Sequence, residues 1–183
     1  MDWQRTEPTK VTKVGWRTVV SKTFTLPDGK NAVFDTVNPE DFSAAGVIAL
    51  TKNNEVITAR QFRSGPEILM DEVPGGIIEP GEDPETAARR EMQEETGYKA
   101  GTLKFLGKFY RDSSMNGEWY YYLATDCELV SDPQNDEHEF IDVILKTIPE
   151  FIAHAKKGLL TDPFAVLAAY DDLIEINEKE TTR

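Results

Sequence analysis

The sequence contains 183 residues, of which 39% are hydrophobic, and it carries a formal net charge of −13 at pH 7. This length suits a single domain, and the acidic excess argues against binding to a nucleic-acid backbone or an anionic membrane, because both need a basic surface. No segment approaches the run of about 18 apolar residues typical of a membrane-spanning helix, and the first residues lack the apolar stretch of a signal peptide.

The N-terminal half is predicted to consist mainly of strands. Residues 1–12 show no periodic pattern, and we expect them to be loosely ordered. Runs of apolar and β-branched residues bounded by turn signals predict strands over residues 16–26, 31–37, 42–50, 56–62 and 72–74. We interpret residues 1–40 as an N-terminal β-hairpin segment and residues 41–183 as the main domain.

A helix is predicted from Pro84 to Thr96. Asp83 is a favourable N-cap residue, and proline suits the first helical position. The residues that follow are mostly strong helix formers. Gly97 stands where the end of a helix favours a residue with positive φ.

Three glutamates crowd one face of this helix. At 100° per residue, Glu91, Glu94 and Glu95 fall within an arc of about 100°. Like charges at this spacing destabilise a helix by roughly a few tenths of a kcal/mol, whereas Mg²⁺ is held by carboxylates together with substrate phosphates. The cluster therefore indicates a metal-dependent enzyme that acts on phosphate esters or anhydrides.

The C-terminal half adds strands and closes with helices. Strands are predicted over residues 103–111, 119–130 and 140–145, and helices over residues 148–157 and 162–178. Residues 132–139 form an acidic loop between two of the strands. The aromatic run at residues 119–122 alternates across a strand, so we expect half of it to be core. Together these elements indicate an α+β layered domain.

Cys127 is the only cysteine of the sequence. A lone cysteine excludes an internal disulfide and suits a reducing, cytoplasmic environment. No histidine-based motif accompanies it, so we expect a buried, small apolar side chain and not a nucleophile.

The segment from Gly76 to Tyr98 carries a complete motif. It reads Gly76, five residues, Glu82, seven residues, Arg90-Glu91-Met92, one residue, Glu94-Glu95, one residue, Gly97-Tyr98. This resembles the signature of the Nudix hydrolases with every fixed position filled. With residue usages of roughly 5–7% for each fixed type, a chance match is below about one in a million. The resemblance implies the Nudix fold, a mixed β-sheet sandwiched between helices (α/β/α) with an N-terminal β-hairpin layer.

Other stretches resemble the ADP-ribose and ADP-sugar pyrophosphatases of this family. Residues 59–63 (ARQFR) followed by 72–76 (EVPGG) resemble one of their motifs, and residues 15–34 resemble their N-terminal hairpin. Residues 137–143 resemble their catalytic loop. The resemblance implies hydrolysis of a nucleoside diphosphate sugar with Mg²⁺ as the cofactor and Mn²⁺ as an alternative. It also implies a homodimer in which the hairpin crosses to the partner subunit.

One position departs from that subgroup and keeps the substrate open. Many ADP-ribose pyrophosphatases carry a proline in a turn beyond the signature, where this sequence has Ser113. ADP-ribose, cleaved to AMP and ribose 5-phosphate, is the expected substrate. GDP-mannose, another nucleoside diphosphate sugar, FAD and a nucleoside triphosphate are alternatives, as is a domain that senses ADP-ribose without hydrolysing it.

The resemblance and the residue chemistry together suggest roles for individual residues. The expected metal ligands are the carbonyl of Gly75 and the side chains of Glu91, Glu94, Glu95 and Glu139. The expected catalytic residues are Glu137 as the base, Glu95, and Arg90, which is expected to pair with a neighbouring carboxylate such as Glu94 and orient it. It stays open whether Glu137 or Glu139 is the base, and Glu82 either fastens the loop to the helix or lies near the metals.

Four further residues are expected to bind substrate. Trp16 and Phe34 align with aromatic residues that stack on the adenine in the ADP-sugar pyrophosphatases, although core or dimer packing is an alternative for both. Arg63 either holds a phosphate or ribose or forms a structural ion pair. Gly76 is expected to let the backbone approach the metals, or to be an ordinary turn glycine.

Overall fold

The computed structural model describes residues 2–134 and 140–181, which contain twelve strands and three helices. The chain forms two compact units. The first comprises residues 1–43 with 110–118, and the second comprises residues 44–109 with 119–183. The sequence had not indicated that residues 110–118 join the N-terminal segment.

The first unit contains a four-stranded antiparallel sheet, made of β1 (Gln4–Arg5), β2 (Lys10–Val14), β3 (Arg17–Thr25) and β4 (Asn31–Val37). Strand β3 lies at its centre and pairs with the other three strands. The expectation that residues 1–12 are loosely ordered is wrong for residues 4–5 and 10–12, which lie in β1 and β2. Backbone hydrogen bonds to β3 organise β1 and β2 although their side chains are exposed, so no apolar pattern marks them.

The second unit contains an eight-stranded sheet with the central order β10-β11-β5-β6-β12, to which β7, β8 and β9 add on β6, β5 and β11. Its strands are β5 (Ser43–Thr51), β6 (Val56–Arg63), β7 (Ile68–Glu72), β8 (Gly75–Ile77), β9 (Tyr98–Lys99), β10 (Thr102–Phe109), β11 (Glu118–Leu129) and β12 (Asp142–Lys146). The single strand predicted over residues 72–74 is wrong, because the chain changes its pairing partner there. Pro74 lies between β7 and β8 and accepts a hydrogen bond from Val47 in β5.

The helices are α1 (Pro84–Thr96), α2 (Ile148–Lys156) and α3 (Pro163–Thr181). The predicted bounds and caps of α1 are confirmed. The Asp83 carboxylate accepts two backbone N–H groups of the first turn at 3.1 Å each, and Gly97 ends the helix with φ of 75°. Helix α2 begins with a capping box between Thr147 and Glu150.

Helices cover both faces of the sheet, which confirms the α+β architecture. On one face, α1 packs against β5 and β11 through a core cluster that includes Ala45, Val47, Ala49, Ile57, Ala87, Ala88, Met92, Ala100, Tyr122, Ala124 and Cys127. On the other face, Tyr121 donates a hydrogen bond to Asp162 just before α3. Because both faces of β11 are covered, more than half of the aromatic run is buried, namely Trp119, Tyr121 and Tyr122.

Cys127 is part of this core, as predicted. Its side chain is buried, and burial raises the pKa of the thiol to about 11. A thiol is nucleophilic only as the thiolate. Cys127 is therefore an unreactive packing residue.

A buried carboxylate of β7 joins this strand to three other elements of the second unit. Asp71 of β7, with a side chain 1% exposed, accepts hydrogen bonds from Arg60 of β6 at 2.7 Å and from Lys146 of β12 at 2.9 Å. His154 of α2 lies 3.3 Å from the same carboxylate. Burial raises the pKa of Asp71, but the hydrogen bonds from Arg60 and Lys146 outweigh it and leave the pKa below its ordinary value.

We predict that Asp71→Asn lowers the free energy of unfolding by about 2 kcal/mol at pH 7, because two cations lose a buried charged partner. Urea denaturation measures this difference. The matched control is Glu128→Gln, which removes the exposed partner of Lys52 and should change stability little. Equal effects of the two substitutions would contradict the role assigned to Asp71.

The difference in unfolding free energy between the wild type and Asp71→Asn should depend on pH. The pKa of Asp71 in the folded state lies below its value in the unfolded chain, which is about 3.9. Its contribution is therefore fully present above that pH and is lost as pH falls through the folded-state pKa. The stability difference between the wild type and Asp71→Asn should shrink below about pH 4.

Candidate active site

A polar cavity of about 630 Å³ lies in the second unit beside α1. Its walls are Gln61, Arg63, Gly75, Gly76, Ile77, Glu79, Arg90, Glu91, Glu94, Glu95 and Gln134. The structure thus brings together seven of the predicted site residues, namely Arg63, Gly75, Gly76, Arg90, Glu91, Glu94 and Glu95. Their roles stay predictions, but their convergence on one cavity is observed.

Two glycines allow β8 to lie directly against α1 and β5. The N–H of Gly75 donates to the Glu95 carboxylate at 2.8 Å. A Cβ on Gly75 would stand 2.3 Å from the carbonyl oxygen of Ala45, and a Cβ on Gly76 would stand 2.5–2.6 Å from the carboxylate atoms of Glu91. Glycine is therefore required at position 75, because any side chain would overlap the backbone of β5, whereas a side chain at position 76 would have to displace the Glu91 carboxylate.

Arg90 joins three carboxylates. Its Nε and Nη2 atoms each donate to Glu82 at 2.9 Å, and Nη1 donates to Glu91 at 2.8 Å and to Glu94 at 3.0 Å. Nη2 also reaches the carbonyl oxygen of Ile77 at 3.2 Å. The expected pairing of Arg90 with Glu94 is observed, and Glu82 fastens the loop to the helix.

The bond between Arg90 and Glu82 affects the charge of the loop. Hydrogen bonds from Arg90 hold the pKa of Glu82 below its ordinary value, and the same contacts raise the pKa of Arg90. Both groups therefore stay ionised at neutral pH. The Glu82 carboxylate also accepts the N–H of Glu79 at 3.1 Å, which closes the loop before α1.

The donor set of the cavity fits a hard divalent cation, because carboxylate oxygens and a nearby backbone carbonyl are the ligands that Mg²⁺ prefers. Within residues 2–134 and 140–181, however, no group of three or more acidic, histidine or cysteine side chains is arranged as a ready metal site. Arg90 instead holds Glu91 and Glu94, and the N–H of Gly75 holds Glu95. The residues match the metal in chemistry, and their carboxylates are engaged by protein donors.

Two polar residues beside Arg63 were given no role in the site, although both lie in the motif-like stretches 59–63 and 72–76. Gln61 lines the cavity, and Glu72 receives a two-point ion pair from the guanidinium of Arg63. Strand alternation was a usable signal for Gln61, since it stands two residues before Arg63 on β6 and so shares its face. For Glu72 the signal was its place in the motif-like stretch 72–76, whereas its contact with Arg63 depends on the cross-strand register, which cannot be read from the local sequence.

The two predicted base-stacking residues lie in the first unit. Phe34 lines a separate cavity of about 490 Å³ together with Trp3, Lys22, Phe24, Thr36, Ser113, Met115 and Asn116. Trp16 is 80% exposed, and the guanidinium of Arg17 lies 4.4 Å from the centre of its ring. Phe34 pairs with Lys22 on β3, and Trp16 lies in the turn directly before β3, so the two residues are about 20 Å apart in the direction of that strand. A single chain does not bring the two rings together.

The predicted loop residues Glu137 and Glu139 lie outside the described residues. Gln134, the last residue described before them, lines the main cavity. Its backbone N–H donates to the carbonyl oxygen of Glu94 at 2.7 Å. The described part of the acidic loop therefore reaches the cavity at the C-terminal end of α1.

We predict that Arg90→Gln raises the pKa of Glu82 towards its ordinary value of about 4.3 and lowers stability by about 1 kcal/mol, since three carboxylates lose a shared cation. Carboxylate NMR titration and urea denaturation measure the two effects. Arg89→Gln is the matched control, because its ion pair with Glu85 lies on the exposed side of the same helix. An unchanged pKa of Glu82 in Arg90→Gln would refute this assignment.

Comparison with known proteins identifies the family. The NUDIX domain model matches residues 41–162, which is more than half of the chain. The chain is 32% identical over 145 residues to a methanol dehydrogenase activator of Bacillus methanolicus, covering 78% of this chain and 77% of the relative. It is 34% identical over 127 residues to an ADP-ribose pyrophosphatase of Bacillus subtilis (strain 168), covering 68% of each.

The structure agrees with this assignment. A crystal structure of an ADP compounds hydrolase superimposes with a TM-score of 0.75 at 21% identity, covering 99% of this chain and 94% of that chain. At this identity the likeness establishes the fold. None of the described helices combines the length and apolar character needed to cross a membrane. The chain belongs to the Nudix family and is a Nudix pyrophosphohydrolase that resembles the ADP-ribose pyrophosphatases.

Proposed function

We propose that this enzyme uses Mg²⁺ to hydrolyse the pyrophosphate bond of a nucleoside diphosphate sugar, with ADP-ribose as the substrate and AMP and ribose 5-phosphate as products. The observation that carries the proposal is a single cavity in which Arg63 and Arg90 lie with three α1 glutamates beside a glycine backbone. The name of the Bacillus subtilis relative supports the choice of ADP-ribose. Mn²⁺ is an alternative metal with similar ligand preferences.

The residues that would hold the metal are Gly75 through its carbonyl, Glu91, Glu94 and Glu95. Mg²⁺ bound there would neutralise phosphate charge and lower the pKa of the attacking water. Glu139, outside the described residues, is proposed as an additional ligand. Glu137, also outside them, is proposed as the general base. The alternative is the reverse assignment, with Glu139 as the base and Glu137 as the ligand.

The residues of the chain position the reacting groups. Arg90 fixes the orientation of Glu91 and Glu94, and the N–H of Gly75 fixes Glu95. Arg63 donates N–H groups to a phosphate oxygen. Water forms a bond to one phosphorus, the bridging P–O bond breaks, and the proton of the water passes to Glu137. Because the pyrophosphate is anionic, neutralising its charge is the main task of such a site.

We further propose a cytoplasmic homodimer in which aromatic residues of two subunits stack on the nucleobase of the substrate. Trp16 and Phe34 lie about 20 Å apart along one chain, so both can contact one base only if they come from different subunits. The first unit also exposes apolar side chains that suit a subunit interface, namely Val11, Val14, Trp16 and Val33. Stacking supplies roughly 1–3 kcal/mol per base.

A substrate panel tests the proposed function. Purified protein with Mg²⁺ should release AMP and ribose 5-phosphate from ADP-ribose faster than it cleaves GDP-mannose, other nucleoside diphosphate sugars, FAD or a nucleoside triphosphate. Product masses identify the bond that is broken, and EDTA should abolish turnover. Preference for GDP-mannose would show that the position of Ser113 marks another substrate, and the absence of any nucleotide product would overturn the proposal.

We predict that Glu95→Gln lowers kcat by roughly a thousandfold while the protein stays folded, because the amide keeps an acceptor for the N–H of Gly75 but loses the charge that a metal needs. The measurement is steady-state turnover together with a circular dichroism melt. The control is Glu85→Gln, which alters a glutamate of the same helix that pairs with Arg89 at the surface. Near-normal turnover of Glu95→Gln would remove Glu95 from the catalytic centre.

A further inference from the structure

Arginine–carboxylate pairs join β6 and β7 on both faces of these strands. The register places Ala59 opposite Glu72 and Gln61 opposite Met70. Since side chains alternate along a strand, Gln61, Arg63 and Glu72 share one face. That face borders the cavity, because Gln61 and Arg63 line it. The pair of Arg60 with Asp71 lies on the opposite face of the same two strands.

The contact between Arg63 and Glu72 uses one defined edge of the guanidinium. Nε donates to one carboxylate oxygen of Glu72, and Nη2 donates to the other. This two-point geometry fixes the plane of the guanidinium. It leaves the Nη1 hydrogens and the outer Nη2 hydrogen on the edge turned away from Glu72.

Exposure shows which end of the pair is anchored. The Glu72 side chain is 9% exposed and the Arg63 side chain is 43% exposed. The carboxylate therefore belongs to the packed interior, and the arginine reaches from it into the cavity. An arginine held in this way loses less side-chain entropy when it binds an anion than one that rotates freely.

The cavity is lined by more acidic than basic side chains, so the contact that anchors Arg63 affects where its guanidinium points. Arg63 and Arg90 are the cationic members of its lining, whereas Glu79, Glu91, Glu94 and Glu95 are anionic. Glu95 and Asp162 also act on Arg63 electrostatically. Arg90 already donates to three carboxylates. Without its contact to Glu72, the guanidinium of Arg63 would turn towards the α1 carboxylates and would no longer be available to bind an anion.

We infer that Glu72 is a positioning residue that holds Arg63 so that its outer edge binds one phosphate of a diphosphate group in the cavity. The identification of that anion as the substrate's diphosphate rests on the proposed function. A purely structural ion pair would stabilise the strands without affecting anion affinity. Glu72 would instead act on affinity through Arg63, so its effect must vanish when Arg63 is absent.

Calorimetric titration of methylenediphosphonate, an unhydrolysable diphosphate, into the full chain with Mg²⁺ tests this inference. Arg63→Gln should weaken binding about tenfold or more, and Glu72→Gln should weaken it by several fold. The double variant should bind no more weakly than Arg63→Gln, because both substitutions remove the same contact. Asp71→Asn, on the opposite face of the same strands, is the matched control, and it should lower stability without changing affinity.

Two results would overturn the inference. One is additive weakening by Glu72→Gln and Arg63→Gln, and the other is affinity within about twofold of the wild type for a folded Glu72→Gln variant. If Glu72→Gln does not fold, Arg63→Lys decides, since it keeps the charge but cannot be gripped at two points. Wild-type affinity of Arg63→Lys would contradict the inference. Methylenediphosphonate is not hydrolysed, so its binding can be measured even if the substrate panel shows no turnover. Such a failed panel would count against the proposed function alone.

Discussion

The guanidinium of Arg90 holds the crowded carboxylates of α1 and the loop before it in one arrangement. It donates to Glu82, Glu91 and Glu94, and it reaches the carbonyl of Ile77 at the end of β8. Without a cation, the like charges would repel one another across a single helix face. Glu95 lies outside this set and accepts the N–H of Gly75. The helix and the glycine strand are thus joined by one arginine and one backbone donor.

The same chemistry serves two purposes on the two faces of β6 and β7. Asp71 is buried among the side chains of Arg60, Lys146 and His154 and ties α2 and β12 to the strand pair. One residue further along β7, Glu72 lies on the opposite face and pairs with Arg63, which lines the cavity. Alternation along a strand thus separates a stabilising contact from a contact at the site by a single residue.

Local sequence predicted the parts of this structure that local chemistry determines. The bounds of α1 follow from Asp83, Pro84 and Gly97, and the three glutamates follow from helical spacing. The missed features depend on pairing between distant segments. Strands β1 and β2 carry no apolar pattern and are ordered by β3, and Glu72 meets Arg63 only through the register of β7 with β6. Phe34 and Ser113 share a cavity because residues 110–118 join the first unit.

In the proposed mechanism, diphosphate hydrolysis takes place in the cavity between the Gly75–Gly76 backbone and the acidic face of α1. Anomalous diffraction from crystals grown with Mn²⁺ and the α,β-methylene analogue of ADP-ribose tests it most directly. We expect manganese density beside Glu91, Glu95 and the Gly75 carbonyl, with a phosphonate of the analogue at the outer edge of Arg63. Manganese and analogue bound at another place on the chain would contradict it.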